Sequence, residues 1–161
     1  MTRNVFDPGF DGLPQVLPIF PLPGVLLLPG GRLPLNIFEP RYVAMVRDAL
    51  SGERLIGMIQ PNEAAEDVGA APTYSTGCTG RITAFSETDD GRYLITLTGL
   101  IRFDVARELP ALSGYRRVMP DYSRFRGDLS DDPAQIDREA FLEALGTYLD
   151  AAGIEEAAAH V

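Results

Sequence analysis

Residues 17–42 read LPIFPLPGVLLLPGGRLPLNIFEPRY, and the reading of this stretch decides the fold. Its apolar content is that of a membrane segment, yet prolines at 18, 21, 23, 29 and 34 forbid a continuous helix. Each interior proline removes a backbone donor and clashes with the preceding turn, at about 3 kcal/mol apiece. Lipid does not accept exposed irregular backbone either. The run is therefore expected as short extended pieces and tight turns buried in protein, lining the core of a β-rich domain. It hands over to a helix at Pro40, a residue suited to the first helical position.

Working outward, Val16–Phe20 and Leu33–Phe38 read as short strands, separated by the turn chemistry of Pro23-Gly24 and Pro29-Gly30-Gly31. From Pro40 the period changes. Tyr42, Met45, Val46, Ala49 and Leu50 fall on one helical face, and Gly52 is placed for a left-handed cap. Leu55–Gln60 is an apolar run of strand length, and residues 61–73 are an acidic, proline-bounded loop. Tyr74–Phe85 and Arg92–Leu100 read as a hairpin across Asp89-Asp90-Gly91, whose composition predicts a type I′ turn. Gly99 marks a bend or bulge, after which Ile101, Phe103 and Val105 continue the alternation. Tyr115–Tyr122 is the last strand. About six strands and one helix predict an α+β, mainly β fold, a curved sheet or small barrel.

Three segments are expected along the chain: a flexible, Gly/Pro-rich arm over 1–14, the β domain over 15–125, and a linker with the start of a helical subdomain over 126–161. In the last, Asp132-Pro133-Ala134-Gln135 has the form of a helix start. Phe141, Leu145, Tyr148, Leu149 and Ala152 form an apolar face ended by Gly153. With no partner helix following, this face is expected to pack back on the β domain or to support weak self-association, and the helical subdomain is expected to be incomplete.

The formal net charge is −9. Residues 1–120 hold 11 Arg against 13 acids and residues 121–161 hold 3 against 10, so the acidity sits at the C-terminal end. No basic face offers itself to nucleic acid. The absence of an uninterrupted apolar 18-mer and of a signal-peptide pattern in this sequence argues against a membrane helix, and a single cysteine fits a reducing, cytoplasmic setting.

Every basic residue apart from His160 is arginine. Without lysine there is no phosphate-loop lysine, Schiff base or Ser–Lys dyad. One histidine and one cysteine, Cys78, cannot furnish an ordinary zinc set, and Asp128, Asp131 and Asp132 lack the spacing of a calcium loop. No cofactor, metal or catalytic residue is predicted. Cys78, between glycines, reads as a small buried side chain.

The blocks LPIFPLPGVLLLPGGRLPLNIFEPRY, GMIQ at 57–60, GCTGRI at 77–82, DGRYLITLTG at 90–99 and RFDV at 102–105 resemble the N-terminal domain of Lon proteases over about residues 15–122. The pattern is similar to that of small bacterial proteins carrying this domain alone, and of the same domain in cereblon. The resemblance implies a PUA-like β barrel containing one helix, followed by a helical bundle. It also implies a part in recognising unfolded substrate proteins. The ATPase and peptidase modules are outside it, so proteolysis is not carried over.

Six residues are the binding candidates. Leu26, Leu27, Leu28 and Leu33 are read either as an exposed apolar patch for peptides or as core, since strand alternation would bury at least half of them. Arg41, beside Glu39 at the helix start, is read as ligand-facing or as an anchor for neighbouring carboxylates and carbonyls. Arg102 is read as partner-binding or as a barrel-end ion pair. The expected function is a non-enzymatic module that holds unfolded or extended protein segments, in company with a protease or chaperone. The alternative is a small-molecule-binding barrel or a carboxylate-based hydrolase, which would need a pocket joining carboxylates of raised pKa.

Overall fold

The computed structural model describes residues 4–62, 71–130 and 137–151. The chain divides into two compact units, Met1–Asp131 and Asp132–Val161.

The first unit is built on six strands: β1 (Leu17–Pro21), β2 (Arg32–Ile37), β3 (Leu55–Pro61), β4 (Thr73–Glu87), β5 (Tyr93–Leu112) and β6 (Tyr115–Asp121). The sheet order is β2-β5-β4-β3-β1-β6, and a further β5–β6 pairing closes β5, β4, β3, β1 and β6 into a ring. The mainly β, α+β fold expected from the alternation is the fold observed. β5 is long enough to serve two neighbours on one edge. Its start pairs with β2, from Ile37↔Tyr93 to Arg32↔Thr98. Its end pairs with β6, from Asp104↔Asp121 to Leu112↔Tyr115. Along the other edge runs β4, with register shifts at Thr79/Gly80 and Ile82/Ala84. The first shift lies opposite Gly99–Ile101, where the irregularity was expected.

β3 explains how the core is divided. Its alternate residues belong to two clusters, Leu55 and Ile59 on one face and Ile56 and Met58 on the other. Burial on both faces is why it reads as a continuous apolar run rather than an alternating one. The first cluster gathers Leu17, Ile19, Ile101, Phe103 and Val118. A Cβ on Gly57 or Gly77 would lie 2.9 or 2.7 Å from the Phe103 ring, so β3 and β4 converge on that side chain. The second cluster lies beneath helix α1 (Pro40–Leu50), which buries Tyr42, Met45, Val46 and Ala49 against Phe20, Ile37, Ile95 and Leu97.

Two local expectations are corrected. The left-handed residue after α1 is Arg54, at φ 61°, not Gly52. The Arg54 N–H reaches back to the Ala49 carbonyl at 2.9 Å, so the chain turns two residues later than a glycine cap would turn it. At the β4–β5 tip only Gly91 has positive φ, 84°, and its N–H bonds the Thr88 carbonyl at 3.0 Å. A type I′ turn needs two such residues; one glycine after a type I turn gives the three-residue bulged hairpin instead.

The N-terminal segment is tied to this unit. Asp7 accepts a 2.7 Å hydrogen bond from Arg81 Nε, with both side chains 11% exposed. Phe10 and Leu13 pack on the Phe103 cluster, and the Arg126 guanidinium lies 3.7 Å over the Phe10 ring. The second unit, taken by itself, shows helix α2 (Arg138–Ala151). Asp137 caps it, its carboxylate accepting from the N–H groups of Glu139 and Ala140 at 3.1 Å. The helix start expected at Asp132 and the end expected at Gly153 lie outside the described residues, as does His160.

Candidate functional site

The leucine triplet sits on the connection between β1 and β2, and its shape follows from what pins it. At its entrance the Leu22 N–H donates to the Ile59 carbonyl at 3.2 Å, and the Gln60 side-chain amide donates to the Val25 carbonyl. At its exit, Gly30 N–H donates to the Gly99 carbonyl at 2.8 Å and Gly99 N–H to the Gly31 carbonyl at 2.9 Å. A Cβ at residue 99 would overlap the Leu28 carbonyl, so glycine there is what lets the loop lie down on β5. Between the pins the side chains alternate. Leu27 points inward and is 4% exposed; Leu26 and Leu28 are 71% and 53% exposed.

These two leucines border a cleft of 90 Å³ whose other walls include Met58, Gln60, Cys78 and Arg102. Arg102 is fixed from the far side. Its Nε and Nη2 donate to the Asp128 carboxylate at 2.9 and 2.6 Å, its backbone N–H adds a 3.0 Å bond to the same group, and its guanidinium stacks 4.7 Å over Phe125. Burial works to raise the Asp128 pKa, but the hydrogen bonds from Arg102 outweigh it and leave the carboxyl below its ordinary range. The same pairing raises Arg102 further above its usual value. Both groups are charged at neutral pH. At the floor, burial pushes the Cys78 thiol up to about 12, so it is a neutral, apolar wall and not a nucleophile.

The six candidates thus separate. Leu26, Leu28 and Arg102 meet at one cleft, with Leu27 as the buried anchor beneath. Leu33 is half-buried against the α1 cluster. Arg41 is outside the cleft: its Nε donates to Glu39 at 3.0 Å, its guanidinium lies 4.6 Å over Tyr42, and its Cβ sits beside Gly114 in the β5–β6 turn. Sequence reasoning missed Met58, Gln60 and Cys78 as cleft walls. The only signal was that Gln60 ends an apolar run. It also placed Asp128 in a linker beginning at residue 126; a 3-10 segment, Ser123–Leu129, carries buried Phe125 and brings Asp128 to Arg102.

For acid–base chemistry the arrangement is unfavourable. Asp48 and Glu53 do share a second cleft of 210 Å³, where Asp48 accepts a 2.8 Å bond from the Tyr115 hydroxyl. Elsewhere, however, hydrogen bonds from Thr76, Arg116 and Ser123 hold Asp104, Glu108 and Asp121 below the ordinary carboxylate range, opposite to what a general acid needs. Among the described residues no group of His, Cys, Asp and Glu could hold a metal ion. None of the described helices is long and apolar enough to cross a membrane.

The described residues of the first unit form a curved sheet closed into a ring, crossed by one helix and overlain by an apolar loop. The substrate-binding domain of the ATP-dependent protease La (LON) matches residues 16–151, and the chain belongs to this family. It is 35% identical to Lon protease 2 of Myxococcus xanthus over 119 residues, which are 70% of this chain and 14% of that protein. To the Lon protease of Anaeromyxobacter dehalogenans it is 33% identical, again over 70% of this chain and 14% of that protein. The chain therefore spans about one seventh of these relatives' length. Among solved structures it is similar to the Lon N-terminal domain protein from Xanthomonas campestris. That likeness has a TM-score of 0.60 at 29% identity and covers 84% of this chain and 72% of that one. The N-terminal domain of the Mycobacterium avium complex Lon protease shares the fold, with a TM-score of 0.53 at 14% identity, over 86% of this chain and 69% of that one. The family is named for substrate binding, which supports a substrate-recognition role for the chain.

Proposed function

We propose that this module holds extended or unfolded protein segments at the leucine loop, without catalytic activity of its own, and presents them to a protease or chaperone in the cytoplasm. The observation that carries the reading is the outward placement of Leu26 and Leu28 on a loop anchored from both ends and from below by Leu27. Apolar side chains held rigidly in water lose little conformational entropy when a ligand covers them. Each would gain about 1 kcal/mol or more from burial. Arg102, already neutralised by Asp128, borders the cleft without imposing a charge requirement, as suits segments of varied sequence.

A non-catalytic role is supported by the lysine-free composition, the neutral Cys78 thiol and the depressed carboxylates. The recognition unit is taken as residues 15–125, with 126–161 as linker and helix. Fluorescence anisotropy with a labelled, permanently unfolded protein tests the reading. Binding at about tens of micromolar that a folded control of the same size does not show is expected. Equal signals from both would overturn it.

A further inference from the structure

The geometry points to a second recognition element, the open edge of β4 over Thr83–Glu87, which accepts by strand addition an extended protein segment bearing lysine or arginine. The inference rests on the chain being a substrate-recognition module, and it adds both a place and a chemistry.

β3 covers β4 only as far as the pair Leu55↔Arg81 and the bond from the Ile82 N–H to the Arg54 carbonyl. β4 then runs on to Glu87, paired among the described residues to β5 alone, from Ala84↔Thr96 to Glu87↔Tyr93. Five residues at about 3.3 Å each leave an edge of roughly 16 Å with main-chain groups free for another strand. Proteins usually blunt such edges with proline or an inward charge. The same sheet does so on its other side, where β2 carries Pro34 at mid-strand. The stretch Thr83-Ala84-Phe85-Ser86 has neither device, and all of it is exposed.

The surroundings select the occupant. On the sheet face, running from β2 across β5 to the end of β4, is a shallow groove of 490 Å³ lined by Pro34, Asn36, Ala84, Phe85, Leu94 and Thr96, with no charged residue among its walls. Phe85 and Leu94 are 40% and 45% exposed there. At the end of the edge stand Glu87, Asp89 and Asp90. Arg92 is bound to Asp90 at 2.6 Å, and among the described residues Glu87 and Asp89 have no ion-pair partner. An extended segment with uncharged, β-forming residues along the edge and a cation at the acidic tip satisfies the edge and the charge together.

The test is an NMR titration of the full chain. One peptide has eight residues, alternating threonine and valine between terminal lysines; its counterpart ends in glutamates. The expected result is chemical-shift change and slowed amide exchange at Thr83–Glu87 with the lysine peptide, and at least about threefold weaker binding of the glutamate peptide. Glu87→Lys/Asp89→Lys, a surface change that leaves the fold intact, should invert that preference. Phe85→Pro, which removes an N–H facing the open edge while leaving the bonds to β5, should abolish edge binding. Shifts confined to the Val25–Leu28 loop would overturn the edge while leaving the loop reading standing. So would a charge preference that the reversal does not move, or a dimer formed through residues 83–87 that excludes both peptides.

Discussion

The two halves of β5 live in different surroundings. Past Gly99 the strand belongs to the closed ring, flanked by β4 and β6, and Ile101 and Phe103 are 0% exposed. Before Gly99 it is flanked by β2 and by the end of β4 beyond its pairing with β3, stretches that meet no further strand among the described residues, and Leu94 is 45% exposed. A closed ring has no unpaired edge and concentrates its packing energy inside. The open part buries Ile95 and Leu97 beneath α1 but also presents main-chain groups and exposed apolar side chains such as Leu94. The leucine loop crosses between the two at Gly99. On the proposed reading, recognition falls to the half of β5 that keeps an exposed face, while the half inside the ring buries Ile101 and Phe103 at its centre.

Substitutions can break that division. Phe103→Ala should cost most, about 3–5 kcal/mol of unfolding free energy in a urea titration, because β3 and β4 have given up side chains at Gly57 and Gly77 to receive the ring. Leu94→Ala, on the open half, should change stability by less than about 0.5 kcal/mol. Equal effects would dissolve the contrast. Gly99→Val at the junction should destabilise by about 1–3 kcal/mol and also weaken binding of unfolded protein, since the new side chain displaces the Leu28 carbonyl. A stability loss with unchanged binding would detach the loop from recognition.

The smallest effect concerns the Arg102–Asp128 clasp, half-exposed on the arginine side. Asp128→Asn should cost about 1 kcal/mol at neutral pH. The sign of its pH dependence follows from the depressed folded-state pKa of Asp128. The wild-type advantage is fully present above the unfolded carboxylate value, near pH 4, and disappears as pH falls through the lower folded value. Urea midpoints of the two proteins should converge below about pH 4; a constant gap would deny the clasp its charged character.

Much of this division was legible in the residues. Alternation located the strands and the i, i+3, i+4 face located α1, whereas of Leu26, Leu27, Leu28 and Leu33, at least half of which were expected to be buried, Leu27 is buried and Leu33 half-buried. Two turn geometries were misjudged because glycine content alone does not say which residue takes the positive φ: Arg54 took it after α1, and Gly91 alone took it at the hairpin tip. The cleft walls were not legible. Cys78 and Met58 meet the loop only through the β3–β4 register, and Arg102 finds Asp128 only because a 3-10 segment 26 residues further on folds back, anchored by buried Phe125. Such pairings depend on ring closure, which no local pattern encodes.

The most direct measurement is the affinity of an unfolded, labelled protein for the full chain and for the Leu26→Ser/Leu28→Ser double variant, with urea unfolding of both. The account predicts binding at least about tenfold weaker in the variant, with an unfolding midpoint unchanged. Undiminished binding by a variant that remains folded would contradict it.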